Sequence, residues 1–312
     1  MSAATLPARP AKVRDPRTGL RTSATLATVF TLLGHTWLGF EQPHAYVVVA
    51  LLTGYTCALL FEFIDAKANQ RPLGFMGGGP VKVVDFLLSA HMTSITLSFL
   101  LYVQDSLAVL AFAVALAIGS KFLFRVKIDG RYRHFLNPSN FALVVTLAVF
   151  QTSALIPWAY TIDISGAADV LFPLAVVMLG TRLNVLFTKR VPLILAFLVT
   201  FALQGLVRSF LYGAPAMGEL SSMTGIAFIL YTFYMITDPM TSPVRLRSQI
   251  LFGASISVVY GILMVVHLQF AAFYAVAAVT CARGVGLFVM SMMASRALNT
   301  VGEPALQGQA GK

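Results

Sequence analysis

Charge is what this sequence has least of. Asp, Glu, Lys and Arg make up 11% of its 312 residues, against about 25% in a typical soluble domain. Acidic groups are the scarcer sign: 12 against 22 basic residues, for a net charge of +10. No polar stretch is long enough for an extra-membrane domain; the longest are the N-terminal arm and the loops at 65–82 and 125–139. Only two cysteines occur, Cys57 and Cys281, both inside apolar runs. That excludes a disulfide framework and reads as small core residues. No paired His/Cys spacing suggests zinc or an iron–sulfur cluster. Gly77-Gly78-Gly79-Pro80 lacks the Gly-Lys-Ser/Thr of a phosphate loop and reads as a flexible turn. The first 22 residues contain no short apolar run ending in a small-residue cleavage site, so the first apolar segment is expected as a retained helix.

What fills the space is hydrophobic: 58% of the chain. The apolar runs have helix-spanning length, and lipid is the only solvent in which they are not left exposed. Ten segments are predicted, at 23–40, 45–64, 83–102, 106–124, 140–158, 169–187, 191–211, 221–237, 249–266 and 270–294. Several are short for a bilayer of about 30 Å, which allows broken or half-depth helices. The expected fold class is therefore all-α, a polytopic membrane protein with about ten transmembrane helices. Residues 1–22 would form a basic cytoplasmic arm, 23–295 a single membrane domain with halves at about 23–160 and 169–295, and 296–312 a cytoplasmic tail.

The basic residues order this topology. With the N-terminus cytoplasmic, 20 of the 22 Lys and Arg fall on the arm, the even-numbered loops and the tail. The exceptions are Arg208, on the outer side, and Arg283, inside the last helix. Both termini are thus expected in the cytoplasm of an inner-membrane protein. The same distribution removes a nucleic-acid partner: the positive charge faces the anionic leaflet.

A weak internal echo exists. Met92-Thr93-Ser94-Ile95 in the third segment resembles Met223-Thr224-Gly225-Ile226 in the eighth, 131 residues and five helices further on. Five is odd, so the halves would be inverted, as in many transporter folds. Intramembrane ionisable groups are functional candidates. Glu62, Asp65 and Asp85 can all reach the interface, where a topological role is equally open, while Arg283 lies deeper and needs a carboxylate, carbonyls or an anionic ligand. His35, His91 and His267 lie in or near membrane segments, and histidines on two helices could ligate haem; a buried, hydrogen-bonded histidine is the commoner case.

Two junctions carry more. One is Phe135-Leu136-Asn137-Pro138-Ser139; the other is Thr237-Asp238-Pro239-Met240-Thr241. Proline keeps the preceding residue out of helix, and Asn or Asp can cap freed N–H groups. These junctions resemble those of the RnfD/NqrB family, the membrane subunits of Rnf and sodium-pumping NADH:quinone oxidoreductase complexes. The first is similar to that family's Phe-Asn-Pro-Ala motif, one residue longer. Ser222-Met223-Thr224-Gly225 leading to Phe233-Tyr234-Met235-Ile236-Thr237-Asp238-Pro239 resembles its Ser-Gly-Ala-Thr-Met…Phe-Phe…Thr-Asp-Pro stretch. Arg247-Ser248-Gln249-Ile250-Leu251-Phe252-Gly253-Ala254 and Arg190-Val191-Pro192-Leu193 have similar counterparts, in order, from about residue 80 to 290.

The resemblance implies ten helices in an inverted five-plus-five helix repeat and a role in electron transport beside redox partner subunits. It departs at one place. The family's outer-loop threonine, esterified to FMN, has its nearest counterpart in Ser165-Gly166-Ala167-Ala168-Asp169, where Ala168 has no hydroxyl. No covalent FMN is therefore expected, and any flavin or quinone would be held non-covalently. The trimmed loop also resembles the RnfD-like membrane proteins encoded with enediyne biosynthesis pathways. Candidate cofactor or solute contacts are Thr93, Asn137, Thr224 and Asp238, polar residues on the pseudo-symmetric helices and at their ends. The competing reading is an inverted-repeat transporter or channel for a small solute; a scaffold subunit without a ligand is the plainest.

Overall fold

The computed structural model describes residues 16–128, 131–155 and 165–307. Among them the chain is helical almost throughout: α1 (Pro16–Thr36), α2 (His44–Ala68), α3 (Gly79–Leu100), α4 (Leu107–Leu123), α5 (Pro138–Val149), α6 (Ala167–Leu183), α7 (Val191–Tyr212), α8 (Ala216–Ser221), α9 (Ile226–Leu230), α10 (Leu246–Val265) and α11 (Ala271–Gln307). Six stretches are long and apolar enough to cross a membrane: α2, α3, α6 with its continuation to Thr188, α7, α10 and the Ala271–Met293 part of α11. Leu107–Leu123, Pro138–Val149 and Ile226–Met235 are apolar but shorter. This is the architecture of an all-α membrane protein.

Two small antiparallel ribbons mark its two ends. β1 (Leu101–Tyr102) pairs with β4 (Ala154–Leu155), and β2 (Arg125–Ile128) pairs with β3 (Arg131–His134) in a hairpin between α4 and α5. The end bearing β2 and β3 is termed the hairpin face.

Small residues let the helices approach. On α2 the buried positions are Tyr46, Ala50, Gly54, Ala58, Glu62 and Ala66, every fourth residue, which is one helix face. That stripe meets α4, whose buried residues include Ala113, Val114 and Ala117. The outward face of α2 carries exposed Leu52, Leu60, Phe63 and Ile64. Exposed side chains of this kind suit lipid rather than water. α7 and α10 pack closely where Gly253 stands against the backbone of Leu193 and Phe197. Ser257 donates to Phe197 O over 2.8 Å at the same seam.

Several of the sparse charges form ion pairs. Asp85 accepts from Arg21 Nε at 2.8 Å and Nη2 at 2.6 Å, and from Arg17 at 3.2 Å, fastening α1 to α3. Arg71 bridges Glu62 (2.6 and 2.8 Å) and Asp65 (2.5 Å), and Arg125 adds a second guanidinium to Asp65 at 2.5 Å. The hydrogen bond to Glu62, then that to Asp65, holds Arg71 above its ordinary pKa range. These three carboxylates thus have structural partners. Arg208, the outer exception, is paired with Glu219 and lies over the Tyr260 ring.

Several sequence expectations need correction. α1 begins at Pro16, so part of the basic arm is helical; residues 1–15 lie outside the described residues. The 125–139 loop is mostly the β2–β3 ribbon, because its alternating Arg125-Val126-Lys127 and Arg131-Tyr132-Arg133 can pair antiparallel. α5 stops at Val149, short of 158; Trp158 and Thr161 lie outside the described residues. The eighth segment is a short 3-10 turn, the five-residue α9 and a π-helical turn over Tyr231–Met235. Cys57 packs on the core, but Cys281 is exposed. The glycine turn is as expected, with positive φ at Gly77 and Gly79.

Candidate functional site at the junction of two short helices

An α-helix rises about 1.5 Å per residue, so α5 is about 18 Å long and Ile226–Met235 about 15 Å, against about 37 Å for α2. Neither short helix can cross a bilayer core of about 30 Å alone. The non-helical backbone at their ends must be covered by protein or line a cavity. It is here that the two junctions meet.

Asn137 caps α5: its Oδ1 accepts the Asn140 N–H at 3.0 Å, with Pro138 in the first turn. Its Nδ2 faces Met235 O and Asp238 Oδ2, each at 3.5 Å. Asp238 folds its own turn. Oδ1 accepts the Met240 N–H at 3.1 Å and Oδ2 accepts the Thr241 hydroxyl at 3.0 Å. Thr241 and Ser242 behind it are buried. The α5 N-terminus, where N–H groups point outward, therefore lies beside the C-terminal end of the Ile226–Met235 helix. A capped helix start and a carboxylate share one site.

The turn leading to Asp238 is π-helical, as is Asn184–Thr188 at the end of α6. Hydrogen bonding from i to i+5 disturbs the regular ladder and leaves carbonyls for other donors. Buried Asn184 spans both turns, donating to Gly180 O at 2.9 Å and Phe233 O at 2.8 Å. Arg190, also buried, ties the second junction down: Nε donates to Ser242 Oγ at 2.7 Å and Nη1 to Thr188 O at 3.0 Å. Arg283 donates to Thr241 O at 2.8 Å from about 18 Å along α11.

Lys121 reaches the same region from α4. Its ammonium contacts Ser89 O and Oγ at 3.0 Å and Thr93 Oγ1 at 2.9 Å. Asp238 exerts its field on Lys121, His134 and Arg190 alike. Of the four predicted residues, Asn137 and Asp238 thus come together, and Thr93 contacts Lys121. Thr224 does not join them. It is exposed in the one-turn 3-10 segment before α9, with its hydroxyl on Ser221 O at 2.8 Å. It lies at the far end of the short helix and not within a membrane helix, a consequence of the break at Gly225. Sequence reasoning missed Lys121, Asn184 and Arg190 as site residues. Lys121 had a signal, a lone cation inside an apolar run, but it reads equally as a topological charge. Of the histidines, His91 has Thr28 at 2.8 Å on Nε2 and Tyr55 at 2.6 Å on Nδ1, leaving neither nitrogen for haem, and His35 has Thr31 O at 2.9 Å on Nδ1.

Burial pushes the His134 imidazole below its ordinary value, with Asp238 opposing and Lys121 reinforcing the shift. The folded chain then binds fewer protons than the unfolded chain as the pH drops through about 6.5 and below. His134 therefore subtracts stability on acidification in that window and leaves it untouched above. Thermal unfolding of the parent and His134→Gln, compared at about pH 7.5 and about pH 5.5, should show the smaller acid loss in the variant. Equal losses would place the acid sensitivity in other groups.

Chemically, the junction offers a carboxylate, an amide, hydroxyls and several cations at the ends of two short helices. Comparison of the sequence with protein-family models and with curated proteins gives no match.

Proposed function

We propose that this chain is an RnfD/NqrB-like inner-membrane protein with ten transmembrane helices in two inverted five-helix halves and both termini in the cytoplasm. It serves a redox or electron-transport process beside partner subunits, in the manner of the shortened RnfD-like proteins of enediyne pathways. A flavin or quinone is held non-covalently at the junction of Asn137 and Asp238. The observation that carries this reading is the contact between those two residues, 101 positions apart, in the two stretches that resemble the family. Matching helix pairings support the repeat. In the first half α2 packs on α4, α4 on α5 and α1 on α3; in the second, α7 packs on α10, α10 on α11 and α6 on α9. The residues suit a ring with alternating donors and acceptors. Among the described residues Asn137 Nδ2 has long 3.5 Å contacts to give up, and Asp238 can accept. Such a cofactor supplies the electron chemistry; the chain's part is to bind and orient it.

A visible spectrum of the purified protein tests the reading. The expected result is a flavin band that is lost on SDS denaturation and absent from the protein band in a gel viewed under ultraviolet light. Fluorescence that survives SDS and maps to a peptide of this chain would show a covalent flavin. A colourless protein would sink the flavin assignment. It would favour the second reading, transport of a small solute, which the meeting of two short helices supports by itself, because transporters bind substrate at such breaks.

The topology follows from the 20 basic residues. With Cys57 and Cys281 replaced, a cysteine at Ser165 should react with an impermeant reagent in intact cells and one at Gly78 should not. The reverse pattern would invert the orientation.

A further inference from the structure

The junction holds more positive charge than the chain balances. Arg190 and Arg283 are paired with carbonyls and hydroxyls, and neither has a carboxylate within 4.0 Å among the described residues. Lys121 likewise has oxygens of Ser89 and Thr93 but no carboxylate at contact distance. Exposed Arg133 has no ion pair among the described residues either. By contrast, Asp85, Glu62 and Asp65 are each paired with a guanidinium. Leaving guanidinium groups under-compensated in a buried setting is costly, and an anion removes that cost.

Arg133, His134 and Arg283 line one recess at the hairpin face, with Ser242, Val244 and Leu287. Among the described residues the Arg283 guanidinium makes one hydrogen bond, to Thr241 O; a guanidinium has five N–H donors in a planar fork that matches phosphate oxygens. Leu287 lies one turn beyond Arg283 on α11 and gives the recess an apolar wall for whatever the anion is attached to.

We propose that this recess is a binding site for a phosphate group, gripped by the Arg283 fork and Arg133. The group belongs either to an anionic lipid headgroup or to a soluble phosphorylated compound. The recess adjoins the Asn137–Asp238 contact, since Pro239 and Met240 line it, but the proposal does not rest on the redox reading.

The test uses the full chain purified in detergent. Inorganic pyrophosphate at constant ionic strength, read by thermal shift, reports the soluble source. Retention of added phosphatidylglycerol over phosphatidylcholine, read by native mass spectrometry, reports the lipid source. We expect saturable binding of at least one probe, weakened about ten-fold or more by Arg283→Gln, less by Arg283→Lys, and less than about two-fold by Arg247→Gln, an exposed residue with the same charge change. Arg133→Gln, on the exposed hairpin, should weaken binding about three-fold and serves if Arg283→Gln fails to fold. Pyrophosphate binding assigns a soluble phosphate compound; phosphatidylglycerol retention alone assigns a headgroup. Binding of neither probe, or binding equal in the Arg283, Arg133 and Arg247 variants, overturns the proposal.

Discussion

Asp238→Ala should cost this protein about 2–3 kcal/mol of stability, the range for hydrogen bonds to a charged group. The carboxylate closes its turn through Met240 N–H and the Thr241 hydroxyl, and it faces the Asn137 amide. It is also the negative charge that acts on Lys121, His134 and Arg190. Its loss removes the negative charge nearest Lys121 and Arg190 and frees the loop that positions Thr241 for Arg283. Asp238→Asn should fall between, since the amide keeps one acceptor and loses the charge. Asp105→Ala, at an exposed turn, should stay within about 0.5 kcal/mol. Unfolding of the three variants in detergent, followed by circular dichroism and by retention of any bound chromophore, checks this. Equal behaviour of the Asp238 and Asp105 variants would remove the junction from the account of both stability and function.

Gly253→Ala is expected to be worse, about 3 kcal/mol or more. A Cβ there would stand 2.5 Å from Leu193 O and 3.1 Å from Phe197 N. Both are backbone atoms of α7, so relief requires moving a helix rather than a side chain. The Ser257 to Phe197 O hydrogen bond at this seam would be stretched as well. In α11, Gly286→Ala meets nothing within 4 Å. It should be neutral or gain a few tenths of a kcal/mol from helix propensity. Similar unfolding midpoints for the two variants would contradict the close α7–α10 approach.

Gly253 also shows how far a sequence can be read. Its place in an apolar helix is plain, and its likeness to a family motif singles it out, but nothing in the string identifies Leu193 as its neighbour. The same holds at the junctions. Asn137-Pro138 and Asp238-Pro239 announce helix ends through proline sterics and side-chain capping, which are local effects. Their mutual contact spans 101 positions and depends on how α5 and α9 lie in the bundle. Asn184 offered no signal at all. A π-helical turn has no sequence signature that separates it from α-helix, and the amide's role exists only because two such turns come side by side. Arg283 could be flagged by its depth in an apolar run, yet whether it met a carboxylate or a carbonyl depended on the path of 238–244.

By itself, the sequence determined the solvent, the helical class and the approximate helix positions, because transfer of apolar runs out of water is additive along the chain and indifferent to partners. It also marked the residues that break helices. Only the tertiary structure decided which of those breaks meet, which cations are left without carboxylates, and that Thr224 lies away from Asn137 and Asp238. Those outcomes depend on short-range packing and on the positions of charges in space, and both are set by contacts between helices far apart in the chain.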